Sequence, residues 1–305
     1  MTSVTRPLLL ALLCLLVGVG ALPAAASDVE CSAFFKLVDE ETASRLWPSG
    51  NRYRPPDGSC EEGYFHGPIA DGDYDKVRQF YRKYHPFLYA FKLNSPGGDV
   101  DEAMRIGRLF RKYQITTYAP ESAGPSYILG HGTGAEWEPL CAGSDCACAS
   151  ACALMWFGGV ERSGTVGLHR PRIDDPAFKA LRGADATKVY IRILLEIARY
   201  LEEMEVPRPM IDAMVATGSS EIRWIDSIGD DLFRPPSIAE WEDAACSAFN
   251  KEGKKALSGL FGKKYDSSLT ANEKLLMQML DDKRMNRDGC LINLRYREVD
   301  RLTPP

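Results

Sequence analysis

The spacing of apolar positions divides the chain into a leader, an αβ body and a helical tail. The body is the most regular part. Gly63–Ile69 (GYFHGPI) reads as a strand, and Asp73–Tyr84 as a helix with Val77, Phe80, Tyr81 and Tyr84 on one face. Phe87–Asn94 (FLYAFKLN) is a mostly apolar strand that runs into Ser95-Pro96-Gly97-Gly98. Val100–Tyr113 follows as a helix with Ala103, Ile106, Gly107 and Phe110 inward, and Ile115–Tyr118 as a short strand. This strand, turn, helix, strand order predicts parallel βαβ units. A Gly-rich stretch without periodicity, Pro120–Cys146, reads as an insertion. An apolar, small-residue helix over Ala147–Phe157 comes next, then a strand end at Thr165–His169 (TVGLH). Thr187–Glu205 is strongly amphipathic, with Tyr190, Ile193, Leu194, Ile197, Leu201 and Met204 at helical spacing. Pro207 and Pro209 stop it, and a short helix over Met210–Thr217 precedes the apolar segment Ile222–Ile225.

The two ends differ from this body. Arg6 and the terminal amine precede an apolar run, Leu8–Leu22, which ends in Pro23, three alanines and Ser27. A positive start, an apolar stretch and a small-residue site form a secretory signal peptide, with cleavage expected after Ala26. An uncleaved anchor is the alternative, although a membrane span needs about 20 apolar residues. Residues 27–62 form a polar lead-in, with a short helix near Ala33–Leu46 and then loop. After Pro235-Pro236 the composition turns Lys-, Ala- and Leu-rich, so residues 237–305 are expected to form a helical appendage, clipped by Cys246 and Cys290.

Removing residues 1–26 takes away Cys14 and Arg6, leaving eight of the nine cysteines and moving the net charge from −5 to −6. A mildly acidic chain argues against nucleic acid or anionic lipid as a partner. An even cysteine count in an oxidising compartment predicts disulfides among Cys31, Cys60, Cys141, Cys146, Cys148, Cys152, Cys246 and Cys290. The cluster Cys141, Cys146, Cys148 and Cys152 also has the density of a four-thiolate zinc site. Disulfides are the preferred reading, with no metal and no cofactor. Cys148 and Cys152 are expected to share a helix face, so that each reaches the insertion and not the other.

Three motifs carry candidate chemistry. Ser95-Pro96-Gly97-Gly98-Asp99 lies between a buried strand and a helix, where glycines leave backbone N–H groups free near a helix N-terminus to receive an anion. Cys148-Ala149-Ser150-Ala151-Cys152 places a serine among small neighbours at the start of an apolar helix, whose partial positive charge favours an oxyanion. Gly167-Leu168-His169-Arg170-Pro171 ends a strand on a histidine. Each has an ordinary structural reading as a glycine turn, a helix-capping serine or a packed histidine. No nucleotide-binding loop is present.

Together the three resemble one group. Leu93-Asn94-Ser95-Pro96-Gly97-Gly98, then Ala149-Ser150-Ala151 opening a helix that ends in Gly158-Gly159, then His169-Arg170-Pro171, is similar to the Clp protease proteolytic subunit and the signal peptide peptidases. The stretch from Cys148 to Arg172 is closest to periplasmic bacterial members of that group. The resemblance implies the Clp/crotonase fold, with stacked ββα units over residues 63–236 and an insertion at 120–146. It implies Ser150 as nucleophile, His169 as general base, and the Gly98 and Ala151 amides as an oxyanion hole. The partner would be a peptide or protein substrate, the location periplasmic or secreted, and a homo-oligomer is expected through the Thr187–Glu205 helix. The resemblance also exposes a departure, because Ile222 stands where the group carries the aspartate that steers the histidine. Glu221 and Asp226 are the nearby carboxylates; a bare Ser–His dyad, a water or a backbone carbonyl are the other stand-ins.

Overall fold

In the computed structural model the described residues are 27–34, 58–120, 146–172, 180–226, 234–246, 251–266 and 269–304. Seven strands lie among them: β1 (Asp28–Phe34), β2 (Cys60–His66), β3 (Ala90–Asn94), β4 (Thr116–Tyr118), β5 (Arg162–Ser163), β6 (Thr165–Leu168) and β7 (Arg223–Asp226). The helices of the body are α1 (Asp73–Tyr84), α2 (Val100–Lys112), α3 (Ala151–Phe157), α4 (Gly183–Glu203) and α5 (Arg208–Ala216). Those of the tail are α6 (Pro236–Ala245), α7 (Lys251–Asp266) and α8 (Ala271–Asp300).

One sheet has the order β1-β2-β3-β4-β5. Strands β2 to β5 are parallel, as the βαβ pattern requires, and β1 adds antiparallel to β2. A second, two-stranded sheet joins β6 and β7 antiparallel. The chain is therefore α/β with a mixed sheet. The buried residues of β3 and of α2 meet across the parallel layer, where Phe91 stacks on Phe110 with ring centroids 4.8 Å apart. Every residue of α3 is buried, so this helix forms the floor of the core and carries no charged side chain.

Most boundaries fall within a few residues of the apolar pattern, and three differ for physical reasons. Ala33 and Phe34 end a strand and do not begin a helix, because β1 pairs with β2 and Cys31 is bonded to Cys60, with Cα atoms 5.9 Å apart. Residues 35–46 of the expected helix lie outside the described residues. α3 starts at Ala151, four residues later than its apolar run, because residues 147–149 are extended and bridge other strands. α4 begins earlier than expected, at Gly183.

The tail is clipped as expected, by a Cys246–Cys290 disulfide between the end of α6 and α8. Glu242 of α6 is fully buried and accepts from Arg295 at 2.9 Å and pairs with Arg234 at 3.1 Å, while Arg295 also reaches Glu161 of the body at 2.9 Å. The end of α8 docks where β3 enters the sheet. Tyr296 donates to the Phe87 carbonyl at 3.4 Å, and Tyr113 donates to the Thr303 carbonyl at 2.8 Å.

Glu61 lies in β2 beside this docked end. Burial, then the neighbouring Glu62, push its carboxyl up to about 7. Its neutral form is the one the fold favours, so the stability it contributes is present at pH 5 and lost as pH rises through about 7. Glu61→Gln should therefore raise Tm at pH 8 by about 2 °C and leave it unchanged at pH 5, read by thermal unfolding at the two pH values.

Candidate active site

Three segments converge where β3 leaves the sheet. Ser95 donates its N–H to the Ala147 carbonyl at 2.7 Å and accepts the Ala149 N–H at 3.0 Å. On the other side, Gly167 donates to the Cys148 carbonyl at 2.8 Å and Ser150 donates to the Gly167 carbonyl at 2.9 Å. Residues 147–149 are thus an extended segment laid parallel between the end of β3 and β6. Asn94 braces it, accepting the Ala147 N–H at 3.0 Å while donating to the Tyr64 hydroxyl at 2.9 Å.

Ser150 stands where that segment breaks into α3. Its φ of 59° and ψ of −126° are uncommon for a residue with a side chain and mark local strain of about 1–3 kcal/mol. Such a strand–turn–helix elbow thrusts the side chain out of the turn. The hydroxyl makes no capping bond to α3, so the helix-cap reading of Ser150 is replaced by that of a partly buried serine held at a sharp corner.

The Gly97–Gly98 turn touches this corner. Gly97 has φ 103°, and a Cβ there would sit 2.6 Å from the Ser150 Cβ and 3.0 Å from the Ala151 nitrogen. Gly98 has φ 144°, and a Cβ there would lie 2.1 Å from the Ile69 carbonyl oxygen. Ile69 straps the turn on both sides, donating to the Gly97 carbonyl at 2.9 Å and accepting the Asp99 N–H at 2.9 Å. The Gly97 N–H is taken by the Ser95 hydroxyl at 3.1 Å. Among the described residues the Gly98 and Ala151 N–H groups have no acceptor. Backbone donors are rarely left unmade inside a fold. Two such donors, on the two segments that meet at Ser150, are the kind of group that can receive an oxyanion.

His169 follows directly on β6, two residues beyond the carbonyl that holds Ser150. Its Nδ1 lies 2.8 Å from the Arg170 carbonyl oxygen. A carbonyl only accepts, so Nδ1 carries the proton, and in the neutral ring Nε2 is the acceptor. No hydrogen bond joins the Ser150 hydroxyl to His169 among the described residues; such bonds are often long until substrate binds.

The strand register locates the rest of the expected triad. Gly167 is opposite Trp224 and Leu168 opposite Arg223, so continuing the ladder sets His169 across from Ile222. The Ile222 Cγ2 lies over Gly167, 2.6 Å from where a Cβ would be. Glu221 is exposed and makes no bond to His169; its N–H donates to the Gly218 carbonyl at 3.1 Å. Asp226 is opposite Thr165, about 13 Å along the strand from the position facing His169, and its side chain lies outside the described residues. Among the described residues the partner of the His169 ring is the Arg170 carbonyl, a backbone group that residue patterns do not mark. Ile69 was equally unmarked, since its part is played by its main chain.

The cysteines resolve differently from the expectation of a shared helix face. Cys148 and Cys152 are bonded to each other, with Cα atoms 5.2 Å apart. Cys148 lies before the corner and Cys152 after it, so the turn at Ser150 folds the two together and the disulfide straddles the serine. Cys146 is disulfide-bonded as well, so three of the four thiols of the zinc alternative are consumed; Cys141 lies outside the described residues. No protein-family model matches the chain, and no curated protein matches it.

Proposed function

We propose that the chain is an exported serine hydrolase of the Clp/crotonase type, acting on peptide bonds. The observation that carries this reading is the strained Ser150 corner, set against two backbone amides that have no acceptor among the described residues, with His169 directly after the adjoining strand. In the mechanism this supports, the Ser150 oxygen attacks the acyl carbon while its proton passes to His169 Nε2. The carbonyl oxygen, now an oxyanion, accepts from Gly98 and Ala151. Collapse breaks the bond to the leaving amine, which takes the proton from His169. Water, deprotonated by the same nitrogen, then releases the acyl group and restores Ser150. The choice of peptide over other acyl substrates rests on the resemblance of the three motifs. Disulfides in the body and tail support an oxidising, periplasmic or secreted location reached by cleavage after Ala26. No helix among the described residues is long and apolar enough to cross a membrane. Ile191 and Leu195 of α4, exposed at 50% and 52%, support the expected homo-oligomer.

The test is a fluorophosphonate probe, whose fluoride is displaced by an activated serine, with the adduct mapped by mass spectrometry to Ser150. A peptide- or partner-binding module with a degraded site is favoured by Ile222 in the aspartate position, and absence of any adduct would favour it over the enzyme. Because the Arg170 carbonyl orients the imidazole without a negative charge to balance imidazolium, Ile222→Asp should raise the labelling rate about tenfold or more. An unchanged rate would mean that histidine orientation does not limit the reaction.

A further inference from the structure

Ser27, the residue that cleavage after Ala26 would make the mature N-terminus, is not a loose end. It is 5% exposed, and its hydroxyl donates to Asp73 Oδ1 at 2.5 Å. Asp73, the first residue of α1, is itself fully buried. Lys76 pairs with the same carboxylate oxygen at 2.8 Å and reaches the Ser27 carbonyl at 3.2 Å. The α-nitrogen of Ser27 shares a Cα with that hydroxyl, which puts it within roughly 6 Å of the Asp73 carboxylate.

Asp73 in turn leads to the active site. Its Oδ2 accepts the Ala70 N–H at 2.8 Å, and Ala70 follows Ile69, whose two hydrogen bonds clamp Gly97 and Asp99 around Gly98. A second link runs in parallel. The Tyr74 N–H donates to the buried Glu102 carboxylate at 2.7 Å, and the Glu102 N–H donates to Asp99 at 2.9 Å. The first turn of α1 is thereby tied at both edges of the turn that presents the Gly98 amide.

We infer that the α-ammonium released at Ser27 pairs with Asp73, and that Asp73 is a positioning residue which transmits N-terminal maturation to the oxyanion turn at Gly98. Hydrolysis of the Ala26–Ser27 amide by a signal peptidase consumes one water and yields the Ala26 carboxylate and the Ser27 amine, which takes up a proton. Before cleavage the same nitrogen is a neutral amide. After it, a full positive charge lies beside a buried carboxylate, where charge-assisted hydrogen bonds are strongest. The precursor is thus less organised at Gly98 than the mature chain. This inference rests on the serine hydrolase reading for its consequence, and on the Ser27–Asp73–Ile69 chain of bonds for its geometry.

The experiment compares the mature chain beginning at Ser27 with one extended by Ala25-Ala26, both released from a cleavable tag, and with Asp73→Asn in the Ser27-start chain. The Ser27 amine should react with an acetylating reagent at pH 8 about tenfold more slowly than a free peptide of the same N-terminal sequence. Backbone hydrogen exchange across residues 69–100 should be about tenfold faster in the extended chain and in Asp73→Asn, and fluorophosphonate labelling about tenfold slower in both. The extended chain keeps Asp73, so it tests the coupling even where Asp73→Asn fails to fold. An amine as reactive as the peptide's, with identical exchange in the two chains, overturns the inference. Altered exchange with no labelling of any form would sink the hydrolase reading and leave the coupling standing.

Discussion

Ser150→Ala is expected to abolish fluorophosphonate labelling of the mature protein, and His169→Ala to slow it by about 10²–10⁴-fold. The two substitutions act on different atoms. Alanine at 150 removes the hydroxyl oxygen, while leaving the backbone that makes the corner. Its φ of 59° is no easier for alanine, so the strain stays and stability should change little. Alanine at 169 leaves the hydroxyl in place but without a base, and an unassisted serine hydroxyl is a poor nucleophile. The larger of the two losses must therefore be at Ser150. Time courses of adduct formation by intact mass, at one probe concentration, separate the cases. Full labelling of Ser150→Ala would place the reactive group elsewhere, and equal rates for wild type and His169→Ala would remove the histidine from the mechanism.

Much of the frame was legible because burial leaves a period. The α1 and α2 helices and the parallel strands β2 to β4 follow the apolar spacing to within a few residues, since each presents one face or both faces to a single core. The errors cluster where pairing between distant segments decides the local conformation. Residues 147–149 are as apolar and small as the helix they precede, yet they are extended because Ser95 and Gly167 offer hydrogen bonds on both sides. β1 is invisible to local pattern for the same reason, its place being set by β2 and the Cys31–Cys60 bond.

The site divides along the same line. Ser150, His169, Gly98 and Ala151 were singled out by the resemblance of three short motifs, and the structure brings the segments that carry them together. The partner of the His169 ring was not singled out, because a carbonyl belongs to every residue and only the turn at Arg170 aims this one at the imidazole. The Cys148–Cys152 pairing is hidden by the corner at Ser150, because the residue pattern reads as helix across a position whose backbone leaves the helix. The backbone corner that obscured the disulfide is the one that sets Ser150 apart from the helix it precedes.

Gly98→Ala should cost about as much as losing an oxyanion donor outright, on the order of 10²–10³ in labelling rate. The new Cβ would lie 2.1 Å from the Ile69 carbonyl oxygen and 2.8 Å from the Ile69 nitrogen. Those atoms belong to a backbone, and both hold hydrogen bonds to the turn itself, so neither can withdraw without releasing Gly97 or Asp99. The turn must move instead, and the Gly98 N–H moves with it. A φ of 144° adds backbone strain of its own, which could lower stability and imitate a loss of activity. Gly58→Ala provides the control. Gly58 also has positive φ, 80°, but a Cβ there meets nothing within 4 Å among the described residues and it lies outside the three converging segments. It should lose about 1 kcal/mol of stability through the backbone and label at the wild-type rate. If Gly98→Ala labels as fast as Gly58→Ala at matched folded fraction, the Gly98 amide does not bind the oxyanion. If only Gly98→Ala is slow, the steric contact with Ile69 has been converted directly into lost transition-state stabilisation.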